Sequence, residues 1–447
     1  MNEGRFPATY RTQSVPAYAG NPFIEALSPR LKLGEAAKMM VSRPAYRSAF
    51  RRHPTEDRLN EIEQLRGWFV PLAQHPGLYH DIDRLIRSGY MQRNPLKPAF
   101  ARAFHEGFEH LLTPSSQSLA PGRTMTIVGE SGVSKTRGIE QILSLYPRVI
   151  DHTRHDNKPF LLRQIPWVKV DCPTNGSFKS TLLAFFAQVH VLTGEPIPYS
   201  RSIEVLLVQM GTVAHRQGLG VLVIDELQNL THGGDESKIL RYLVGLQNSL
   251  GVPLILLGHE EIEGMLSDLQ SEAQRMSGEG NYRFKPLPEG DHWDYFFKRL
   301  LHFQWTRTPT AWTKNLSSLF YGYTQGNPGV TVKLYQAWQR YALQKGGDEC
   351  LDTDDLPTVW FQDFRYMPLP PALRPTALPD IKEKVGSDMA SDPPEKPPVA
   401  ARVRKPKQLT GLLAMAAKTK QDPMHILDRM GVLKSAAEWF PGDSWPT

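Results

Sequence analysis

Apolar and polar positions alternate in blocks along the middle of the chain. Short apolar runs at Thr124–Val128 (TMTIV), Trp167–Asp171 (WVKVD), Gly220–Ile224 (GVLVI) and Pro253–Gly258 (PLILLG) are each bounded by a polar or glycine-bearing turn. Runs of this length predict strands, and the most continuous of them predict strands covered on both faces. A weaker run, Tyr282–Pro286, predicts a fifth. Between the runs the spacing changes to that of helices. Arg137–Leu145 carries Ile139, Ile142 and Leu143 on one face; Ser177 is a plausible N-cap before Phe178, Leu182, Phe185 and Phe186; Ile203–Arg216, Glu236–Leu250 and Glu260–Met276 continue the pattern. Strand alternating with helix predicts an α/β fold built on a parallel, doubly wound sheet with right-handed crossovers.

The flanks read differently. Residues 1–55 form an arginine-rich, proline-punctuated N-terminal arm, with one apolar island at Tyr18–Leu27. That island fits either a strap packed on the main domain or a docking peptide for a partner. Helices are expected at Glu56–Trp68, His80–Ser88 and Pro98–Leu112, leading into an α/β domain that ends near residue 288. Residues 289–365 predict four more helices, at His292–Trp305, Trp312–Tyr321, Val330–Lys345 and Asp354–Phe364, the size of an α-helical lid. From 366 to 447 prolines dominate a linker that composition predicts to be largely disordered. A basic cluster at Arg402, Arg404, Lys405 and Lys407 follows, and apolar residues such as Leu412, Trp439 and Phe440 leave a solvated tail and a partner-binding tail both open.

Composition narrows the class without deciding it. The chain has 447 residues, enough for two or three domains, and is 40% hydrophobic. No run of about 18 apolar residues occurs, so no membrane span is expected. The first residues hold no apolar signal core, and the 2 cysteines, Cys172 and Cys350, argue against a disulfide framework or a cysteine metal site. A cytoplasmic protein is expected. The formal charge of +6 is compatible with nucleic acid but does not require it.

Candidate chemistry sits at the ends of the predicted strands. Gly129-Glu130-Ser131-Gly132-Val133-Ser134-Lys135-Thr136 is a near match to the phosphate loop G-x-x-x-x-G-K-[ST], with Ser134 where the last glycine belongs. A glycine turn lets backbone N–H groups approach a polyphosphate, and the helix behind it adds positive partial charge. Lys135 suits the β- and γ-phosphates of ATP, and the Thr136 hydroxyl suits Mg²⁺. Asp225 and Glu226 close the most apolar strand; Asp225 suits the Mg²⁺ shell, and Glu226 the base that orients an attacking water. The turn-rich stretch Gly89–Pro95, with Arg93, fits either the adenine and ribose end of such a site or a plain helix connection. In Ser134 the Cβ would crowd the phosphates, so binding is expected to survive and turnover to be slow.

These segments together resemble a known family. AYAGNPFIEALSP, SGYMQRNP, GESGVSKT, VDCPTNGSFK, GLGVLVIDELQNL and GVPLILLGHEE, within roughly residues 10 to 345, are similar to the TnsC/TniB group of AAA+ ATPases, target-selection regulators of Tn-type DNA transposons. The resemblance implies a P-loop AAA+ core with ATP and Mg²⁺ as cofactors and slow, DNA-stimulated hydrolysis. It implies a homo-oligomer, ring or helical filament, on duplex DNA that links a target selector of the TnsD/TniQ type to transposase subunits. In related P-loop ATPases a polar residue at the fourth strand tip reads the γ-phosphate; His259 stands there. Lids of this kind usually present an arginine where this chain has Gly329, and Lys333 is one turn further on. Arg275 and Arg283 are the options for an arginine acting on a neighbouring protomer. Asn175, Ser177 and Lys179 are the implied DNA contacts. Two other readings share the core: a nucleotide-gated scaffold with little hydrolysis, and a replication-initiator or helicase-loader ATPase.

Overall fold

The apolar runs do assemble into a parallel sheet, and its register brings their polar ends to one edge. The structure, a computed structural model, describes residues 4–97, 123–197, 199–231, 239, 241–246, 251–264 and 280–373. The expected helix at 98–112, most of those at 236–250 and 260–276, Arg275, and the segment from 374 onward lie outside the described residues. The strands among the described residues are β1 (Arg5–Pro7), β2 (Thr124–Gly129), β3 (Val149–His155), β4 (Lys158–Gln164), β5 (Trp167–Asp171), β6 (Val221–Asp225), β7 (Leu254–Gly258) and β8 (Gly280–Phe284). The helices are α1 (Pro22–Glu25), α2 (Leu33–Met40), α3 (Thr55–Ile62), α4 (His75–Gln92), α5 (Lys135–Leu143), α6 (Phe178–Thr193), α7 (Ile203–Arg216), α8 (Gln228–Thr231), α9 (Asp291–Leu301), α10 (Lys314–Thr324), α11 (Pro328–Lys345) and α12 (Leu356–Asp363).

The main sheet is five-stranded in the order β5-β6-β7-β2-β8, and all its pairings are parallel. Successive side chains in a strand face opposite ways, and here both ways are apolar. Leu222, Ile224, Leu254 and Leu256 pack into one core with α6 and α7. Val221, Val223, Ile255 and Leu257 pack into another with α4, α5 and the N-terminal arm. This two-sided burial is the reason the strands read as continuous apolar runs. The register pairs Asp171 with Asp225 and Val128 with Gly258, so the C-terminal ends of the central strands are level.

The N-terminal island resolves as a strap. Phe23, Ile24 and Leu27 are buried in the second core, and the Gln164 side-chain amide donates to the Phe23 carbonyl at 2.9 Å. The docking-peptide reading of this segment therefore lacks the exposed apolar face it needs.

A small second sheet had no counterpart among the expected elements: β1-β3-β4, with β1 parallel to β3 and β3 antiparallel to β4. The hairpin turns at Asp156-Asn157, whose φ values of 46° and 62° are the left-handed pair that a two-residue hairpin loop requires. The apolar runs of β3 and β4 are brief, Val149-Ile150 and Phe160-Leu161-Leu162 among polar residues, and make neither a continuous run nor a clean alternation, although the Asp-Asn pair is a turn signal.

The lid helices α9 to α12 form where expected. Thr313 caps α10 by accepting from Leu316 N at 3.1 Å, and Asn327 caps α11 with Pro328 as its first residue. Their core, around Trp293, Phe297, Phe320, Leu334 and Trp338, also takes in Ile62, Leu65, Trp68, Val70 and Leu72. A chain boundary near 288 thus does not divide the packing, since residues 62–72 share one core with the lid.

Candidate functional site

The polar strand ends, the loop after β2 and the first turns of α11 surround a cavity of about 400 Å³. Its walls include Ser131, Gly132, Ser134, Lys135, Thr136, Asp225, Glu226, His259, Gly329 and Lys333. Residues distant in sequence meet here because the sheet register levels β2, β6 and β7.

The loop wraps closely. A Cβ on Gly129 would lie 2.3 Å from the Phe284 carbonyl oxygen, and one on Gly132, at φ 83°, 2.5 Å from the Asn327 side-chain oxygen. Neither position accepts another residue without movement. Ser134 takes the left-handed conformation, with φ 71° and ψ 25°, at the N-cap of α5. Its departure from the glycine motif is thus a backbone matter first: a left-handed non-glycine residue costs about 1–2 kcal/mol. The Lys135 ammonium donates to the Gly129 and Glu130 carbonyls at 2.5 and 2.7 Å, and burial lowers its pKa. Gly129, Glu130 and Val133 do not line the cavity themselves; Val133 is fully buried in the core beneath.

The carboxylates are held differently. Asp225 is 2% exposed; its Oδ1 accepts from Glu226 N at 2.8 Å, and Lys169 lies 3.2 Å from Oδ2. Glu226 has φ 57°, which turns the chain sharply off β6 and leaves its side chain exposed toward the cavity. The Gln228 side-chain amide donates to Glu226 Oε2, and its Oε1 accepts from His259 N at 3.2 Å. One buried amide thereby links the two residues read as water-orienting base and phosphate sensor. In sequence Gln228 is one letter of the DELQNL run, and nothing local marks this link. Asn229, its neighbour, donates to the Cys172 carbonyl at 2.8 Å, tying β6 to the loop after β5.

The remaining candidates divide. Lys333 is exposed at the cavity wall. Arg93 is elsewhere: the helix α4 runs through Gln92, and the fully buried Arg93 guanidinium donates to the Gly89 and Leu219 carbonyls at 3.0 and 2.6 Å. Its role is to fasten α4 to the chain before β6, so it is not part of a nucleotide pocket. The apolar end of the cavity is built instead by Leu65, Trp68, Phe69 and Val70 with Phe296 and Val332. In sequence this end is Gly67-Trp68-Phe69-Val70-Pro71, at the close of the helix expected over Glu56–Trp68.

Arg283 is half-exposed and ion-paired within its own chain, to Glu260 at 3.2 Å and Glu263 at 3.6 Å. Asn175 Oδ1 accepts from Ser177 N at 3.1 Å, and Ser177 Oγ accepts from Ser180 N at 3.2 Å as the N-cap of α6. These side chains shape the loop after β5; Lys179 lies in the first turn behind them.

The likenesses to solved structures are distant: Cdc6p of Pyrobaculum aerophilum (16% identity, 65% of this chain and 68% of that one, TM-score 0.42), the ORC1 protein of Aeropyrum pernix in complex with DNA (13%, 72% and 70%, 0.39), and domain III of the Thermotoga maritima replication initiation protein DnaA (13%, 60% and 93%, 0.33). No curated protein matches the chain. Residues 120–266 match the family model described as AAA domain, and the five-stranded parallel sheet with its phosphate loop has the AAA+ P-loop fold.

Proposed function

We propose that the cavity binds and slowly hydrolyses ATP, and that the chain acts as an ATP-dependent regulator of DNA transposition. The observation that carries the ATP reading is the convergence of Ser131, Gly132, Ser134, Lys135, Thr136, Asp225, Glu226 and His259 on one cavity wall, with an apolar end at residues 65–70. Thr136 and Asp225 both line that wall. An all-oxygen donor pair beside a phosphate cradle fits Mg²⁺, which completes its shell with phosphate oxygens and water. Bound there, the ion would draw charge from the β- and γ-phosphates. In this reading Lys135 leaves the carbonyls of its own loop for the phosphate oxygens. Glu226, held by Gln228, orients the attacking water. His259 and Lys333 face the γ-phosphate. Trp68, Phe69 and Val332 exclude water from the base.

The transposition reading rests on the sequence motifs: a homo-oligomer on duplex DNA that connects a target selector to transposase subunits. Asn175, Ser177 and Lys179 are the proposed DNA contacts; a contact to phosphates would make binding fall with salt and carry little sequence information. Arg275 or Arg283 is the proposed residue completing a neighbour's site; Arg283 must first leave Glu260.

Lys135→Ala tests the ATP reading directly. We expect ATP binding and ATP-dependent assembly on duplex DNA to be lost; normal assembly with ATP would refute it. Glu226→Gln should retain binding and slow turnover, leaving assemblies that persist. Unchanged turnover would remove Glu226 from its role.

A further inference from the structure

We propose that the start of α11 is a latch on the phosphate loop: Asn327 and Gly329 hold the loop in its phosphate-binding shape, in place of a phosphate-sensing arginine. The proposal rests on the reading of the cavity as a nucleotide site. Three contacts carry it. The Asn327 side-chain amide donates to the Ser131 carbonyl at 2.8 Å. The Gly329 N–H donates to the Gly132 carbonyl at 2.9 Å. A Cβ on Gly329 would lie 2.9 Å from Gly132 Cα and 3.0 Å from its carbonyl oxygen, so the helix backbone rests directly on the loop backbone.

The consequence follows from the planar trans peptide. In such a unit the C=O and the next residue's N–H point in opposite directions. Fixing the Ser131 carbonyl toward the lid turns the Gly132 N–H away from it, and fixing the Gly132 carbonyl does the same for the Val133 N–H. Both are loop donors of the kind that cradle a polyphosphate. The lid thus orients donors without touching the phosphate, and the absence of an arginine at 329 is a steric requirement of that docking. Asn327 serves two ends at once. Its Oδ1 accepts from Gly329 N and Val330 N at 3.1 and 3.2 Å as the helix cap, while its Nδ2 reaches the loop.

The two duties separate by substitution. Asn327→Ser keeps a good cap but is too short to reach Ser131. Gly329→Arg installs the arginine expected of such lids and breaks the close approach. Amide hydrogen exchange of residues 129–136 in nucleotide-free protein reads the latch itself; calorimetric titration with ATP and Mg²⁺ reads its effect. We expect faster exchange in the loop in both variants. ATP affinity should fall about tenfold in Asn327→Ser, the loss of roughly one hydrogen bond, and more in Gly329→Arg. Unchanged loop exchange in both variants overturns the latch, as does an affinity that rises in Gly329→Arg. Wild-type protein that binds no ATP overturns the nucleotide reading instead, and loop exchange then decides the latch alone.

Discussion

The lid is attached at two places of opposite character. At its base, α11 and α12 share an apolar core with residues 62–72, and beside it Arg58 forms a buried, two-pronged pair with Glu349 at 2.5 and 3.0 Å. Arg58 Nη1 also donates to the Trp305 carbonyl at 2.9 Å. At its tip, α11 meets the phosphate loop through the two hydrogen bonds from Asn327 and Gly329. Burial of large side chains and a paired charge makes the base expensive to open, whereas two polar bonds are worth about 1 kcal/mol each. Residues 62–72 are therefore packed as one body with the lid helices, and they carry the apolar end of the cavity. The tip is the weaker of the two attachments.

The largest expected effect breaks the base. Arg58→Ala removes the two-pronged partner of Glu349 and leaves it only the exposed Arg307 at 3.4 Å, which costs about 3 kcal/mol, the low end for breaking a buried pair; denaturant unfolding should show it as a lowered midpoint. The Arg58 guanidinium also holds the Glu349 carboxyl below its usual range, so this part of the stability is present at neutral pH and is lost as pH falls through the lowered Glu349 value.

Next comes a group under the tip. His75 lies beneath α5; its Nδ1 accepts from Leu72 N at 2.8 Å, and burial pushes its pKa down to about 4, partly offset by hydrogen bonding to the Ser134 and Leu72 backbone. The unfolded chain binds a proton near pH 6.5 that the native state refuses until about pH 4. Stability should thus fall by up to roughly 3 kcal/mol as pH drops across that window, then level off. His75→Gln, which keeps an acceptor for Leu72, should flatten the acid side of a plot of thermal midpoint against pH. An unchanged slope would assign the acid loss to other groups, such as His152, which burial also lowers to about 4.

A smaller effect concerns catalysis. Gln228→Ala frees Glu226 from the amide that ties it to His259 and should lower turnover about tenfold with little change in ATP affinity, since the lost contact orients a residue and does not bind ground-state ATP. A matching loss in affinity would make Gln228 merely structural. The smallest effect is Ser134→Gly, which removes the left-handed strain and should raise stability by about 1 kcal/mol. It also tests whether the serine slows turnover: equal rates in both forms would end that idea.

The sequence by itself determined the sheet, the loop and the two carboxylates. Their signals are local: β6 and β7 are apolar on both faces, β2 is a buried run closed by a glycine turn, and Lys135, Thr136, Asp225 and Glu226 sit at fixed offsets from strand ends. The helices of the lid were equally legible, because Thr313, Asn327 and Pro328 mark their starts within one turn. Tertiary structure alone decided the partners. Whether Phe23 and Ile24 meet the chain's own core or another protein depends on which surface α4 leaves open. Arg93 is locally open between a ligand contact and a plain helix connection, because nothing in its own stretch reveals that the Leu219 carbonyl accepts from it. The cavity's apolar end came from residues 65–70, some 65 positions before the loop they serve. Gln228, Asn327 and Gly329 acquire meaning only through hydrogen bonds and close approaches that span 31 to 197 residues of chain. Periodicity and motif spacing report what a segment does with its neighbours in sequence. Which distant carbonyl a side chain reaches is fixed only when the layers close on one another.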